Sequence, residues 1–163
     1  MTNIELRKIT LKDAEDLFDY GSNAEVTKYL TWGPYKHLDD AIDAIKHHFF
    51  TTDLLEYALQ YLPTNKMIGT IGVTKITNNQ LFIGYVLHQD FHKQGLMTKI
   101  IKHFLNIVIN KYPHTDIYAE VIDNNCGSIK VLEKNNFMII KEVKLMRKNV
   151  LVKGKLLKLM SLT

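Results

Sequence analysis

Residues 81–122 read LFIGYVLHQDFHKQGLMTKIIKHFLNIVINKYPHTDIYAEVI, and three changes of rhythm within them decide the architecture. Leu81 to Leu87 is a nearly continuous apolar run of strand length, as expected for a strand covered on both faces. From Met97 the spacing becomes helical: Met97, Ile100, Ile101, Phe104, Leu105, Val108 and Tyr112 form one stripe, opposite Lys99, Lys102, His103, Asn106 and Asn110. Pro113 stops that helix, and Ile117 to Ile122 is a strand again. Strand, loop, helix and strand in that order predict a right-handed crossover between parallel neighbours.

Upstream, Glu56 to Leu62 and the β-branched Met67 to Ile76 join Leu81 to Leu87 as three antiparallel strands, separated by turns at Pro63-Thr64-Asn65-Lys66 and Asn78-Asn79. The first third is mostly helical. A short strand begins at Ile4, Thr10 caps a helix carrying Leu11, Ala14, Leu17 and Phe18, a second piece runs from Ala24 to Leu30, and Leu38, Ala41, Ile42, Ile45 and Phe49 mark a third. Trp32-Gly33-Pro34-Tyr35 between them is a loop, packed on the core or walling an acceptor pocket. Downstream, Asn125 caps a helix bearing Ile129, Val131 and Leu132 that ends at Asn135-Asn136. Phe137 to Met146 and Leu156 to Leu162 close the chain as a hairpin around Lys153-Gly154. The expected fold is mixed α/β: a mostly antiparallel sheet of six to seven strands flanked by helices, with one parallel β-α-β unit, in a single domain over residues 1–163.

The composition narrows the function. Hydrophobic residues at 46% and charged ones at 23% describe a chain that folds, not a disordered one. A net charge of +4 and a pI near 9.0 bias it weakly toward anionic ligands, but the charge is spread along the chain and supports no nucleic-acid partner. One cysteine, Cys126, excludes an internal disulfide and a cysteine zinc cage; His47-His48 has no matching carboxylate pair and His88 and His92 share no helix face, so no metal is expected. Charge arrives at Glu5 and Arg7 before any signal-like apolar stretch, and no apolar run approaches the ~18 residues of a membrane span. The expected setting is the cytoplasm, with no membrane partner.

Phe91-His92-Lys93-Gln94-Gly95-Leu96-Met97-Thr98 leads from a buried strand into the long helix, a place where backbone amides point out of a helix N-terminus and bind anions, phosphates above all. With one glycine it meets neither the dinucleotide nor the Walker pattern, and an ordinary strand-to-helix loop reads the same way. Taken with Ile83-Gly84-Tyr85-Val86-Leu87 and the order of elements, however, the segment from His92 to Thr98 resembles the acetyl-CoA-binding stretch of the GNAT superfamily of N-acetyltransferases, whose pattern is Gln/Arg-x-x-Gly-x-Gly/Ala. Asn125-Cys126-Gly127-Ser128, then Val131-Leu132-Glu133-Lys134 and Phe137, resemble that family's Asn-x-x-Ser helix and its Leu-Glu-Lys-x-Gly-Phe ending. Leu6-Arg7, Asp13-Ala14 and the Trp32 region resemble the subgroup that acetylates N-terminal alanine or serine residues of ribosomal proteins.

The resemblance implies a coenzyme site in which backbone amides of Gln94, Gly95, Leu96, Met97 and Thr98 hold the diphosphate, with Lys93 adding charge. Val86, Leu87 and His88 would pair with the pantetheine arm, and Asn125 and Ser128 would lie beside the arm and thioester. Three positions depart from the pattern: His92 stands for Gln or Arg, Lys93 for a common Gly, and Met97 for a small residue. The implied reaction is direct attack of a primary amine on acetyl-CoA, the acceptor being a protein N-terminus or a small amine. It needs an oxyanion donor, expected near Leu87 or His88, and a proton for the thiolate, from Ser128, water or a tyrosine such as Tyr118. Relatives often carry Glu before the Ile-Gly-Tyr; Phe82 stands there, which leaves Glu120, His88 or a water chain as base. The missing carboxylate also motivates an alternative, an acetyl-CoA-binding module without turnover. The chain is expected to be a monomer or homodimer.

Overall fold

A computed structural model describes residues 3–162. Its strands are β1 (Ile4–Arg7), β2 (Glu56–Tyr61), β3 (Lys66–Thr77), β4 (Gln80–Leu87), β5 (Asp116–Ile122), β6 (Phe137–Arg147) and β7 (Val150–Leu159), and its α-helices are α1 (Ala14–Gly21), α2 (Ala24–Thr27), α3 (Leu38–Ala44), α4 (Leu96–Lys111) and α5 (Cys126–Glu133). The strands form one seven-stranded sheet in the order β1-β2-β3-β4-β5-β7-β6. β4 and β5 run parallel, Gln80 opposite Asp116 and Phe82 opposite Tyr118, as the crossover through α4 requires. The other registered pairs are antiparallel. The mixed α/β expectation holds, and the sheet has the larger of the two expected strand counts.

The chain divides into two compact units. The first comprises the chain up to Gly72 together with Tyr85–Gln94; the second comprises Val73–Gly84 and the chain from Gly95 onward. In the first, α1 and α3 bury Leu17, Tyr20 and Ala41, and the turn after α3 buries Ile45, in one cluster with Ala58, Met67 and Val86. Its polar clasp is Asp13, which receives two hydrogen bonds from the Arg7 guanidinium, at 2.9 and 2.6 Å, and one from the Thr10 amide at 2.8 Å. Thr10 thus opens the helical segment as expected, though its first turn, Leu11–Asp13, is 3-10. In the second unit, α4 buries the stripe read from the sequence: Met97, Ile100, Ile101, Phe104, Leu105 and Val108. A smaller cluster of Phe82, Tyr118 and Leu156 is packed by Val143.

Three boundaries differ from expectation. The helix expected over 24–30 stops at Thr27, and the stripe of 38–49 changes from α to a π turn at Ile45–Phe49. The closing hairpin turns at Lys148-Asn149, not around Lys153-Gly154. Both turn residues have positive φ, 50° and 65°, as a two-residue turn between twisted strands requires. Gly154 lies inside β7, where a Cβ would sit 2.6 Å from Leu145 Cδ1 and 2.7 Å from the Val121 carbonyl oxygen. It is glycine because neighbours press on it, not because the chain turns there.

Candidate active site

The end of β4 and the loop after it are held by their own side chains. Val86, Leu87 and His88 are buried. The His88 amide donates to the Ile68 carbonyl at 2.7 Å, so it is not available as the expected oxyanion donor. Hydrogen-bonding directions alternate along a strand, which points the Leu87 amide away from β3. His88 Nδ1 accepts from the Asp90 amide at 3.1 Å; Nε2 therefore carries the ring hydrogen and faces Asp19 Oδ2 on α1 at 3.2 Å. Tyr20 and Phe91 pack edge-on against the ring, and Tyr61 of β2 meets Phe91. With both nitrogens engaged, His88 serves here as a fastener between α1 and the loop.

Two more side chains tighten that loop. His92 Nε2 lies 2.7 Å from the Leu87 carbonyl oxygen, and Gln94 Nε2 donates to the Asp90 carbonyl at 2.8 Å. Lys93 has φ 60°, which explains the glycine common at this position in the pattern. Gly95 follows at φ 71° as N-cap of α4, and a Cβ there would meet nothing within 4 Å. No side chain caps this 16-residue helix and its first turn holds no acid, so its leading amides and positive dipole end face outward without an internal anion. Such a terminus fits a diphosphate.

Asn125 caps α5, its Oδ1 accepting from the Ser128 amide at 3.3 Å. That gives Asn125 a structural duty and fixes the first turn carrying half-buried Ser128. Asn135, buried just past this helix, donates to the carbonyls of Thr98 at 3.1 Å and Val131 at 3.0 Å, tying the start of α4 to α5. Asn136 then takes φ 64°, the conformation that suits the glycine of the sequence pattern. Neither Asp19 nor Asn135 stood out as a site residue in the sequence. Asn135 was readable only as a helix end, and Asp19 belongs to no motif.

On β5, Glu120 accepts from Lys75 Nζ at 3.4 Å. The same ammonium stands 4.1 Å above the Phe82 ring, which stacks on Tyr118 at 5.5 Å. Where relatives often carry a carboxylate, this chain has an aromatic platform for a cation. Trp32 and Tyr35 stack at 4.9 Å and pack against the first core, where burial pushes the Tyr35 hydroxyl up to about 12. Among the described residues, no group of three or more His, Cys, Asp or Glu could hold a metal ion, and no helix is long and apolar enough to cross a membrane.

Residues 3–138 match the acetyltransferase (GNAT) domain. The chain belongs to the GNAT acetyltransferase family. It is 30% identical over 142 residues to an uncharacterized N-acetyltransferase, p20, of Bacillus licheniformis, covering 82% of this chain and 78% of that protein. Two solved structures share the fold. One is a microcin self-immunity acetyltransferase, MccE, in complex with acetyl-CoA and AMP, with TM-score 0.83, 18% identity, and 95% of this chain and 91% of that one covered. The other is RimL, a ribosomal-protein alpha-N-acetyltransferase in complex with coenzyme A, with TM-score 0.83, 16% identity, and 97% and 94% covered. This GNAT chain is accordingly an acetyltransferase. Phe82, His92, Lys93 and Met97 are where it departs from the family pattern.

Proposed function

We propose that the chain transfers the acetyl group of acetyl-CoA to the α-amine of a protein N-terminus. The observation that carries the coenzyme half is the uncapped, acid-free start of α4 behind Gly95, where the amides of Gln94 to Thr98 receive the diphosphate and Lys93 adds a positive charge. Val86 and Leu87 pair with the pantetheine arm, and the Leu87 amide donates to the oxyanion. Asn125 and Ser128 serve the thioester end. The amine nitrogen bonds to the acetyl carbon, the carbon–sulfur bond breaks, and Ser128 relays to the departing thiolate the proton that the attacking nitrogen loses, so that its hydroxyl is restored.

Phe82 carries the choice of acceptor. A chain with an apolar ring in place of the carboxylate suits an amine that needs little help losing its proton. An α-amine has a reference pKa near 8, against about 10.4 for a lysine-like amine, so roughly a tenth of it is neutral at pH 7. Glu120, or water ordered by it, takes the remaining proton; His88, with both nitrogens engaged, is the weaker candidate. RimL, which acts on ribosomal-protein α-amines by its name, supports the same acceptor class.

The test is acetyl-CoA turnover at pH 7 over N-terminal peptides, the same peptides blocked at the α-amine but bearing lysine, and a polyamine. Unblocked peptides should be acetylated at least tenfold faster in kcat/KM. Preference for the lysine or polyamine would overturn the acceptor assignment. Coenzyme binding without turnover of any amine would establish instead the binding-module reading that Phe82 also motivates.

A further inference from the structure

β6 is the end strand of the sheet, and among the described residues it pairs with β7 alone. Such an edge presents unpaired backbone groups. It also carries consecutive exposed apolar residues, Met138, Ile139 and Ile140, at 59%, 43% and 46% exposure, with Met146 exposed further along. The intervening stretch, Lys141-Glu142-Val143-Lys144, is charged. Glu142 is placed by Lys155 of β7, whose Nζ lies 2.7 Å from its Oε1. That hydrogen bond holds the Glu142 carboxyl below its usual range, so it is ionised at neutral pH.

Two-fold symmetry limits how this edge could meet a copy of itself. Antiparallel partners direct their side chains to the same face, so the axis must stand perpendicular to the joined sheet and one residue must lie opposite its own copy. With Lys141, Glu142 or Lys144 on the axis, like charges would face each other directly, which destabilises a pair. With Val143 on the axis, Glu142 faces the partner's Lys144 and Lys144 faces the partner's Glu142. The β-bulge between Ile139 and Lys141 leaves Ile140 outside the regular ladder, so this register rests on the charge pairs. A register centred on Leu145 would leave little of β6 to pair, because the strand ends at Arg147.

We propose that the chain is a homodimer joined edge to edge through β6, with the two-fold axis at Val143 and reciprocal Glu142–Lys144 pairs setting the register. Lysines on an edge can also serve to repel any partner. The acid between them distinguishes the two roles, because it makes the edge complementary to itself in one register.

The experiment uses charge reversal on the full chain. Lys144→Glu places two acids against each other across the axis, and Glu142→Lys places two bases; each variant alone should sediment as a monomer where the native chain is a dimer at ~50 μM, a dimerisation constant weakened at least tenfold. Mixed in equal amounts, the two variants restore opposite charges at both pairs and should form a heterodimer. Circular dichroism melts confirm that each variant folds, since both side chains are exposed. A monomeric native chain, a variant that stays dimeric alone, or a mixture of two folded monomers that does not associate would each overturn the proposal.

Discussion

Ser128 and Asp13 show how differently single polar residues can be used. Asn125 holds the first turn of α5 through the Ser128 amide, and the work proposed for the Ser128 side chain is chemical. If that work is protonating the thiolate, Ser128→Ala should lower kcat by about 10- to 100-fold with little change in coenzyme affinity. Steady-state kinetics beside calorimetric titration of coenzyme A reads the two separately, and an unchanged kcat would return Ser128 to a structural role. Asp13 belongs to folding. Burial alone would raise its carboxyl, but the Arg7 guanidinium and the Thr10 amide outweigh it and hold the group below the usual carboxylate range. A carboxyl depressed in the folded state contributes stability above its unfolded pKa of about 3.9 and loses it as pH falls through the lower folded value. Arg7→Met should therefore cost about 2 kcal/mol at pH 7 and make the loss of stability below about pH 4 shallower, which urea titrations from pH 7 to 3 would measure. A variant with the native acid limb would show that the Thr10 amide alone sets Asp13.

At the scale of elements, the helix–loop junction matters most. The loop of Gln89–Gln94 is pinned by His88, His92 and Gln94 before α4 begins, and Gly95 supplies the left-handed φ through which the helix amides face outward. Gly95→Asp keeps open space around its Cβ but adds φ strain and a carboxylate at a terminus proposed to hold a diphosphate. It should weaken coenzyme A binding at least tenfold while shifting the thermal midpoint by only a few degrees. Unchanged affinity by titration calorimetry would remove the diphosphate from this loop. The helix itself was legible from residue spacing, as were Thr10 and Asn125 as caps and Asn136 as a left-handed terminus. The closing turn was not. Gly154 looks like a turn residue in any local reading, whereas Lys148 does not advertise positive φ, and only the pairing of β6 with β7 shows which pair of residues reverses the chain.

For the molecule as a whole, the proposed coenzyme is also a stability probe, because a ligand that binds only the folded chain stabilises it by mass action. Acetyl-CoA at 100 times its dissociation constant should add about 2.7 kcal/mol and raise the melting midpoint several degrees, a shift absent at the same concentration of acetate. No shift at millimolar acetyl-CoA would oppose both the transferase and the binding-module readings. The sequence by itself determined the parallel crossover through α4, the mixed sheet and the family pattern from His92 to Phe137, because each is written in local periodicity or in residues close along the chain. Tertiary structure alone decided that His88 is fastened by Asp19 of α1, that Asn135 binds Thr98, that Lys75 stands between Glu120 and Phe82, and that β6 ends the sheet. The hydrogen bonds among those facts join groups 37 to 69 residues apart and the last depends on the order of strands, and such partners leave no mark in local spacing. What a polar side chain does is set by what the fold brings within hydrogen-bonding distance, and neither its type nor its immediate neighbours contain that information.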